Sequence, residues 1–234
     1  MAKSLKPIKK GKKEIKKGKK EIQIVNIVVS TALEKDIPLE KMAATLPNTE
    51  YNPEQFPGLV LRIKDPKTSA LIFSSGKVVC TGARTLSDVD LSIKSIIKSL
   101  KKMNINVTIT PEITVQNIVA SGSIGMALNL NFLGLKLPNT EYEPEQFPGL
   151  VHKLRGTRAT FLLFSNGKIV CTGTRTEQEV HEATDMLIVN LEKLLLMMKI
   201  QKVSLVLREV YKRAAYPPLL QLSMLLLQNG CKEQ

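Results

Sequence analysis

The sequence predicts an α+β protein in which two repeats, related by a pseudo-twofold axis, form one curved antiparallel β-sheet with helices on its convex face. Two observations lead to this fold class. Residues 46–85 match residues 137–176 at a fixed offset of 91 residues, with 25 identities in 40 positions. Each copy also contains short β-like segments followed by one long stretch with helical periodicity. A 91-residue period is too long for a solenoid repeat and is the size of half a domain.

The strands of the sheet are predicted from β-branched apolar runs bounded by turn signals. Residues 22–30 open the first repeat, and residues 113–121 open the second. Hairpin turns are expected at Ser75-Gly76 and Asn166-Gly167. The other predicted strands are residues 59–63, 69–73 and 77–81, and their counterparts 150–154, 160–164 and 168–172.

The helices follow from apolar spacing and capping residues. A short helix is predicted near residues 39–44, and its counterpart near 128–135 contains Asn and Gly residues that form helices poorly. A long helix closes each repeat. Ser87-Asp88 is expected to cap the first long helix, and Thr176 with Glu179 the second.

The duplication divides the chain into four predicted regions: a Lys-rich tail (1–21), a first repeat (22–110), a second repeat (111–199) and a C-terminal extension of unassigned role (200–234). Ten lysines and one glutamate in residues 1–20 hold nine of the thirteen net positive charges. Such a segment is expected to be disordered. Two interpretations of it stay open, a solubilising arm and an arm that attracts nucleic-acid phosphates without sequence preference.

Several classes of site and location are disfavoured by composition. Three cysteines without metal-ligand spacing predict reduced thiols in an intracellular protein, and no metal or cofactor is expected. The N-terminus lacks the apolar segment of a secretory signal, and the longest apolar stretch, residues 219–227, is too short to span a bilayer.

Two long motifs connect the repeats to a known family. PEQFPGLV occurs at residues 53–60 and again at 144–151, and LIFSSGKVVCTG at 71–82 is followed in the second repeat by LLFSNGKIVCTG at 162–173. Over residues 22–199 the chain resembles the TATA-box-binding proteins, with an archaeal-like core. The resemblance implies a non-enzymatic saddle that binds A·T-rich promoter DNA in the minor groove, bends it and starts transcription. It also implies action in the archaeal cytoplasm, at the nucleoid, or alternatively in a eukaryotic nucleus.

The resemblance assigns a role to four of the six phenylalanines. In this family, pairs of Phe side chains insert between base steps at each end of the site. The other two phenylalanines, Phe132 and Phe161, have no Phe at the 91-residue offset. The matching, mirrored positions expected to insert are Phe56, Phe73, Phe147 and Phe164.

The resemblance also implies residues that touch the groove floor. A·T pairs present only acceptors in the minor groove, so a reader needs short donors and flat apolar surface. The implied donors are Asn26, Asn117, Thr81 and Thr172. The implied apolar contacts are Val28, Val119, Leu71, Leu162, Val79 and Val170.

Phosphate binding is expected from basic residues that recur in both repeats with charge retained. The matching positions are Arg62, Lys77, Arg84, Lys153, Lys168 and Arg175.

A partner surface is implied by the loop at residues 141–146. Its acids, Glu141, Glu143 and Glu145, match the loop that family members present to transcription factor B, which recruits RNA polymerase. The protein is expected to bind DNA as a monomer with internal pseudo-dimer symmetry. Because two near-identical halves read the groove, its orientation on the promoter is predicted to come mainly from that partner.

Two other functions fit part of the sequence. A nucleic-acid-processing enzyme would need an acid–base group or a metal on the free sheet face, and no mirrored acid is expected there. An RNA-binding protein would explain the lysines and not the four mirrored phenylalanines. His152 is expected on the strand surface, with no chemistry assigned to it.

Overall fold

The computed structural model of the protein describes residues 21–213, with side chains to residue 210. The predicted tail before residue 21 and the extension after residue 213, including Cys231, lie outside the described residues. Within the described residues, the chain divides into two compact units, residues 21–185 and residues 186–213.

The first repeat folds into five strands and two helices, in the predicted order. Its elements are β1 (Glu21–Ala32), α1 (Leu39–Thr45), β2 (Thr49–Glu50), β3 (Gly58–Ile63), β4 (Thr68–Phe73), β5 (Lys77–Ala83) and α2 (Leu86–Lys102).

The second repeat follows the same plan. Its elements are β6 (Thr114–Ser123), α3 (Leu130–Lys136), β7 (Thr140–Glu141), β8 (Leu150–Lys153), β9 (Thr160–Leu163), β10 (Lys168–Thr174) and α4 (Glu177–Arg213). The predicted strands are all present, with ends shifted by one or two residues, and the two-residue strands β2 and β7 are additions.

All ten strands form one open antiparallel sheet in the order β2-β3-β4-β5-β1-β6-β10-β9-β8-β7. The first strands of the two repeats therefore pair with each other at the centre. Ile27 of β1 lies opposite Ile118 of β6, and these two residues are 91 positions apart. The pseudo-twofold axis passes through this pair, which confirms the predicted fold class.

One face of the sheet is covered by helices. In β5, Val78 and Cys80 are 1% exposed, whereas Val79 between them is half-buried. Helix α2 contacts β5 and β1, and its side chains Val89 and Ile96 are buried. Alternation along each strand thus separates a core face from a free face.

The helix caps differ in part from the sequence expectation. Thr85, not Ser87-Asp88, is the N-cap of α2: its hydroxyl accepts from Asp88 N at 3.1 Å, and the Asp88 carboxylate accepts from Thr85 N. Thr176 is placed in the same way in the second repeat, where Glu179 N donates to its hydroxyl at 3.1 Å. Asn129 supports α3 as its N-cap, because its side chain accepts from Phe132 N.

Helix α4 continues well past the predicted boundary at residues 199/200 and ends at Arg213. From residue 196 onward it displays many exposed apolar side chains. They are Leu196, Met197, Ile200, Val203, Leu205, Val206, Leu207 and Val210. None of the helices within residues 21–213 is long and apolar enough to cross a membrane.

Candidate nucleic-acid interface

The predicted groove-floor residues share one face of the sheet. All ten are half-buried, whereas the strand neighbours that point to the helices are buried. Cross-strand register brings them into contact: Leu71 lies opposite Val79, and Leu162 opposite Val170. The result is a continuous, shallow apolar strip across the free face, as a flat groove floor requires.

The two predicted asparagines lie at the centre of this strip. Asn26 is paired with Val119, and Asn117 with Val28, one residue to either side of the Ile27–Ile118 axis. Each half of the sheet therefore contributes one amide and one valine to the middle of the free face. The two halves of this arrangement are therefore equivalent. A·T and T·A base pairs also present equivalent acceptors in the minor groove.

A β-bulge in each repeat fixes the orientation of the central amide. Between β1 and β5 the register shifts so that Thr81 and Gly82 form an extra step opposite β1. Asn26 Oδ1 accepts from Gly82 N at 2.7 Å and from the Thr81 hydroxyl at 3.2 Å. Because the backbone N–H groups can only donate, the amide oxygen must face the bulge, which leaves Nδ2 as a donor.

The second repeat reproduces this network. Asn117 Oδ1 accepts from Gly173 N at 2.8 Å and lies 3.3 Å from the Thr172 hydroxyl, while Asn117 Nδ2 is 3.0 Å from the same hydroxyl. The four predicted donors are thus two hydrogen-bonded Asn–Thr pairs. A ligand that offers acceptors to the two asparagine Nδ2 groups matches both pairs.

Two glycines that the sequence interpretation did not single out make the bulges possible. Gly82 has φ +96° and Gly173 has φ +91°, a conformation that L side chains rarely adopt. A Cβ at Gly173 would also overlap the carbonyl oxygen of Arg158. The signal was present in the sequence, because both glycines recur at the 91-residue offset beside the predicted threonines.

The four mirrored phenylalanines form two ring pairs, termed wedge pairs below. The ring centroids of Phe56 and Phe73 are 5.9 Å apart, and those of Phe147 and Phe164 are 6.0 Å apart, both tilted toward an edge-to-face arrangement. Phe56 and Phe147 are 44% and 42% exposed, unusually high for aromatic side chains in a folded protein.

Each wedge pair rests on a glycine. Gly58 lies opposite Phe73 in the β3–β4 ladder, and a Cβ there would come within 2.7 Å of the Phe56 ring. A Cβ at Gly149 would come within 2.6 Å of the Phe147 ring. In the structure, both glycines lie directly beneath the rings. The absence of a side chain at these two positions leaves the space that the rings of Phe56 and Phe147 occupy.

The six predicted phosphate-binding residues are all exposed. Arg62 alternates with the buried Leu61 and Ile63, so it belongs to the free face, but it is bound by Glu50 at 3.0 Å. Lys153 is the counterpart of Arg62 at the second-repeat edge. Lys77 and Lys168 begin the strands that follow the wedge residues.

Arg84 and Arg175 occupy a different environment from the other four basic residues. Both lie where a strand passes into a helix, and their backbone N–H groups donate to Asp88 and Glu179. The Arg84 and Thr85 backbone N–H groups hold the pKa of Asp88 below its ordinary value, so this carboxylate stays charged beside the Arg84 guanidinium. Arg84 shares a cavity of about 570 Å³ with Asp88 and His181, not with a wedge pair.

The predicted partner-binding acids form an exposed loop. Glu141 belongs to β7, and the Glu143 carbonyl accepts from Gln146 N and Phe147 N, which fixes the approach to the wedge residue. Within residues 21–213, Glu141, Glu143 and Glu145 make no ion pair. The loop therefore presents three uncompensated negative charges.

His152 corrects a sequence expectation. It is 3% exposed and lies in the core, opposite Phe161, not on the strand surface. Burial lowers its pKa, and the nearby backbone of Pro138 and Asn139 opposes that shift only in part. Neither ring nitrogen makes a hydrogen bond of acceptable geometry within the described chain.

The two cysteines of the described chain are buried free thiols. Burial raises the pKa of Cys171 to about 11 and also raises the pKa of Cys80, so both stay protonated at neutral pH. Residues 21–213 contain no cluster of His, Cys, Asp and Glu side chains suited to a metal ion.

Comparisons with known proteins agree with this geometry. The family model described as transcription factor TFIID, or TATA-binding protein, matches residues 21–103 and 112–194. The TATA-box-binding protein of Thermococcus kodakarensis is 49% identical over 171 residues, which is 73% of this chain and 90% of that protein. That of Archaeoglobus fulgidus is 48% identical over 177 residues, covering 75% and 97%.

A solved structure of a relative has a similar fold. The Methanococcus jannaschii TBP structure superposes with a TM-score of 0.70 at 47% identity, covering 74% of this chain and 99% of that one. Both repeats and their saddle-shaped sheet are therefore shared with a family of DNA-binding transcription factors. The chain belongs to the TATA-box-binding protein family, whose members bind TATA-box DNA and are not enzymes.

Proposed function

We propose that this chain binds promoter DNA through the minor groove, inserts both wedge pairs, bends the duplex and so nucleates the preinitiation complex. The observation that carries this proposal is the pair of exposed ring pairs at mirrored ends of one free face. An exposed, glycine-seated ring that fills no core position is suited to insertion into another apolar layer, and a base stack supplies one.

The energetics of insertion favour A·T-rich DNA with TA steps. Unstacking a base step costs a few kcal/mol, and the bend that results lets more protein surface meet the DNA. Pyrimidine–purine steps unstack most readily. Two kinks would together give a bend of about 80°, the value established for this very family.

The centre of the free face supports selection against G·C pairs. The Nδ2 groups of Asn26 and Asn117 are donors, and the A·T minor groove offers only acceptors. A guanine would bring its N2 amino group, a donor, against these donors and the valines beside them. Phosphate contacts from Arg62, Lys77 and their counterparts would position the duplex without reading its sequence.

Energy transfer between dyes on the two ends of a TATA duplex tests the wedges. The native chain should shorten the end-to-end distance, and Phe56→Ala or Phe147→Ala should abolish the shortening and the preference over a G·C duplex. Phe132→Ala, a half-buried phenylalanine of α3 outside the mirrored set, is the matched control and should bend DNA normally. Equal binding to both duplexes without bending by the native chain would refute the proposal.

We further propose that Glu141, Glu143 and Glu145 receive transcription factor B, which brings RNA polymerase. Three exposed carboxylates that make no ion pair within the described part of the chain suit a basic partner surface. The partner, not the near-symmetric DNA contacts, would then set the polarity of the complex. A cleavage footprint with one strict orientation in the absence of the partner would contradict this.

The proposed complex contains one copy of the chain, since its two repeats already supply both halves of the interface. Its site of action would be the cytoplasm of an archaeal cell, at the nucleoid, because the relatives compared above are archaeal. Sedimentation of the protein–DNA complex should give a mass of one chain per duplex, and a mass of two chains would contradict the monomer.

A further inference from the structure

The exposed apolar residues of helix α4 follow a regular spacing. Steps of four and three residues, in strict alternation, connect five of them: Leu196, Ile200, Val203, Leu207 and Val210. The same alternation continues toward the start of the helix through Lys193 and Val189 to Met186, and these three residues are also exposed. The eight positions are termed the α4 stripe below. They all lie within residues 186–213, the described part of the second compact unit.

Alternating steps of three and four residues are the spacing of a coiled coil. In heptad notation the stripe occupies successive a and d positions over about three and a half heptads, from Met186 at a to Val210 at d. A repeat of 3.5 residues keeps the apolar seam facing one partner helix along its whole length, whereas a helix on a globular core follows a period of 3.6. The spacing therefore indicates a partner that is itself a helix.

The fold buries a different side of α4. Leu187 and Leu191 are fully buried, and they occupy positions b and f, on the side of the helix opposite to a and d. Three other large apolar side chains of this segment are exposed. Met197 and Val206 flank the stripe at positions e and g, and Leu205 lies opposite to it at f. Most of the exposed apolar surface of the segment is thus collected along one seam.

The stripe lies mostly beyond the part of the chain that the family shares. The match to the family model ends at residue 194, and five of the seven apolar stripe residues come after it. The predicted DNA-binding residues all lie between Asn26 and Arg175, so the stripe has no residue in common with the free face of the sheet. Neither the saddle nor its proposed DNA contacts account for a row of exposed apolar side chains, which marks a protein-binding surface.

We propose that the α4 stripe pairs with the α4 stripe of a second copy of this chain, as a two-helix coiled coil. A coiled coil needs a partner with the same heptad spacing, and a second α4 supplies it over the same length. A seam that matches itself closes as a twofold pair, the commonest symmetry of oligomers. The other long helix within residues 21–213, α2, has already buried its apolar side chains, among them Val89, Ile93, Ile96 and Leu100.

The size and composition of the stripe suit such a pair. Seven apolar side chains from each copy, with Met197 and Val206 beside them, would bury on the order of 1,000 Å² in total, the area that a specific interface needs. Lys193 is the one polar member, and a single lysine at an a position fixes the register of a coiled coil at a cost in stability. Each copy keeps its own free face, so one chain still binds one duplex and only the size of the particle doubles.

Sedimentation equilibrium of the full chain without DNA tests the pair. The native chain should sediment as two chains at micromolar concentrations. Ile200→Glu places a charge in the middle of the seam and should weaken association about 100-fold or more. Leu205→Glu is the matched control, because it adds the same charge at a similarly exposed residue on the opposite side of the helix. It should change the dissociation constant less than about threefold.

A third variant tests the seam by a gain of affinity, which misfolding cannot produce. Lys193→Leu completes the apolar seam and should tighten association about tenfold. A native chain that remains single would overturn the proposal, as would equal weakening by Ile200→Glu and Leu205→Glu or no gain from Lys193→Leu.

Association through the apolar free face is the competing explanation, and a short A·T duplex distinguishes it. A pair held by α4 should persist with one duplex bound to each chain, whereas a pair that dissociates as the duplex binds would refute the α4 seam. The proposal does not depend on the proposed function. If the chain fails to bind the duplex, the three variants still decide whether α4 pairs, and the proposed function alone has failed.

Discussion

The two repeats agree on the free face and differ behind it. The wedge pairs, Asn–Thr pairs and bulge glycines recur with the same geometry in both halves. In the core, by contrast, Leu61 faces Ala70 in the first repeat, whereas His152 faces Phe161 at the mirrored positions of the second. The residue opposite the leucine is small, whereas the residue opposite the histidine is large. A nearly symmetric ligand would constrain the residues of both free faces in the same way. Core residues need only fill the available volume, so they can differ between the repeats.

The edges differ as well. Arg62 is bound by Glu50 at the edge of the first repeat, whereas the second-repeat edge has Lys153 and three loop acids that make no ion pair within residues 21–213. The symmetric positions that are predicted to contact DNA thus coexist with asymmetric charges around them. These asymmetric charges distinguish one end of the sheet from the other.

The largest effect is expected from Asn26→Asp and Asn117→Asp, which test the agreement of the two repeats. A carboxylate still accepts from the bulge N–H but turns an acceptor toward the acceptors of the A·T groove. Each variant should weaken binding to a TATA duplex about 100-fold, which is about 2.7 kcal/mol, by fluorescence anisotropy. Asn190→Asp, an exposed amide of α4, controls for the added charge.

If one of the two central variants loses far less affinity than the other, then the halves do not read the groove equally. Such a result would show that the two repeats are not equivalent in DNA binding.

A middle-sized effect on stability is expected from His152→Leu, which gives the second repeat the residue of the first. Removing two unsatisfied buried nitrogens should raise the free energy of unfolding by roughly 1–3 kcal/mol at neutral pH. The buried ring has a lowered pKa, so the unfolded chain binds a proton more readily. Native stability should therefore fall as pH drops below about 6.5.

Denaturant unfolding at several pH values measures both parts of this prediction. His152→Leu should show a shallower acid-side slope than the native chain. An unchanged slope in His152→Leu would show that the buried ring does not titrate on unfolding.

The smallest effect is expected from Glu50→Gln, which frees Arg62. The ion pair is exposed, at 60% and 65% for the two side chains, so breaking it costs little stability. DNA affinity should rise about two- to fivefold, in line with the roughly 0.2–1 kcal/mol of such pairs. Glu54→Gln removes the same charge without releasing an arginine, and an equal gain there would mean that Arg62 is not involved.

The sequence predicted the strands and the free face because both follow from local pattern. Alternation and the 91-residue offset are visible in the sequence. A strand predicted in one repeat therefore supports the prediction of its counterpart in the other. The cap of α2 was misplaced at Ser87-Asp88, although the mirrored Thr176 would have indicated Thr85. The role of each predicted DNA-binding residue, and the four-region division of the chain, stay predictions.

What the sequence did not predict depends on register. The bulges at Gly82 and Gly173 shift one strand against another, and a period-two pattern contains no sign of that shift. His152 looked like a surface residue because histidine is polar, but its position in β8 points to the core. The Arg62–Glu50 pair joins β3 to a two-residue strand that no apolar pattern marks.

Those short outer strands bear on how the protein avoids polymerising. An open ten-stranded sheet has two edges, and an edge with free backbone groups can template another sheet. Here the outermost strands, β2 and β7, are two residues long and each ends in a glutamate, Glu50 or Glu141. Few backbone groups are left for a neighbouring copy to pair with, and two copies meeting at β7 would bring their Glu141 carboxylates together. The apolar free face can thus be kept open for its ligand without the sheet growing from its ends.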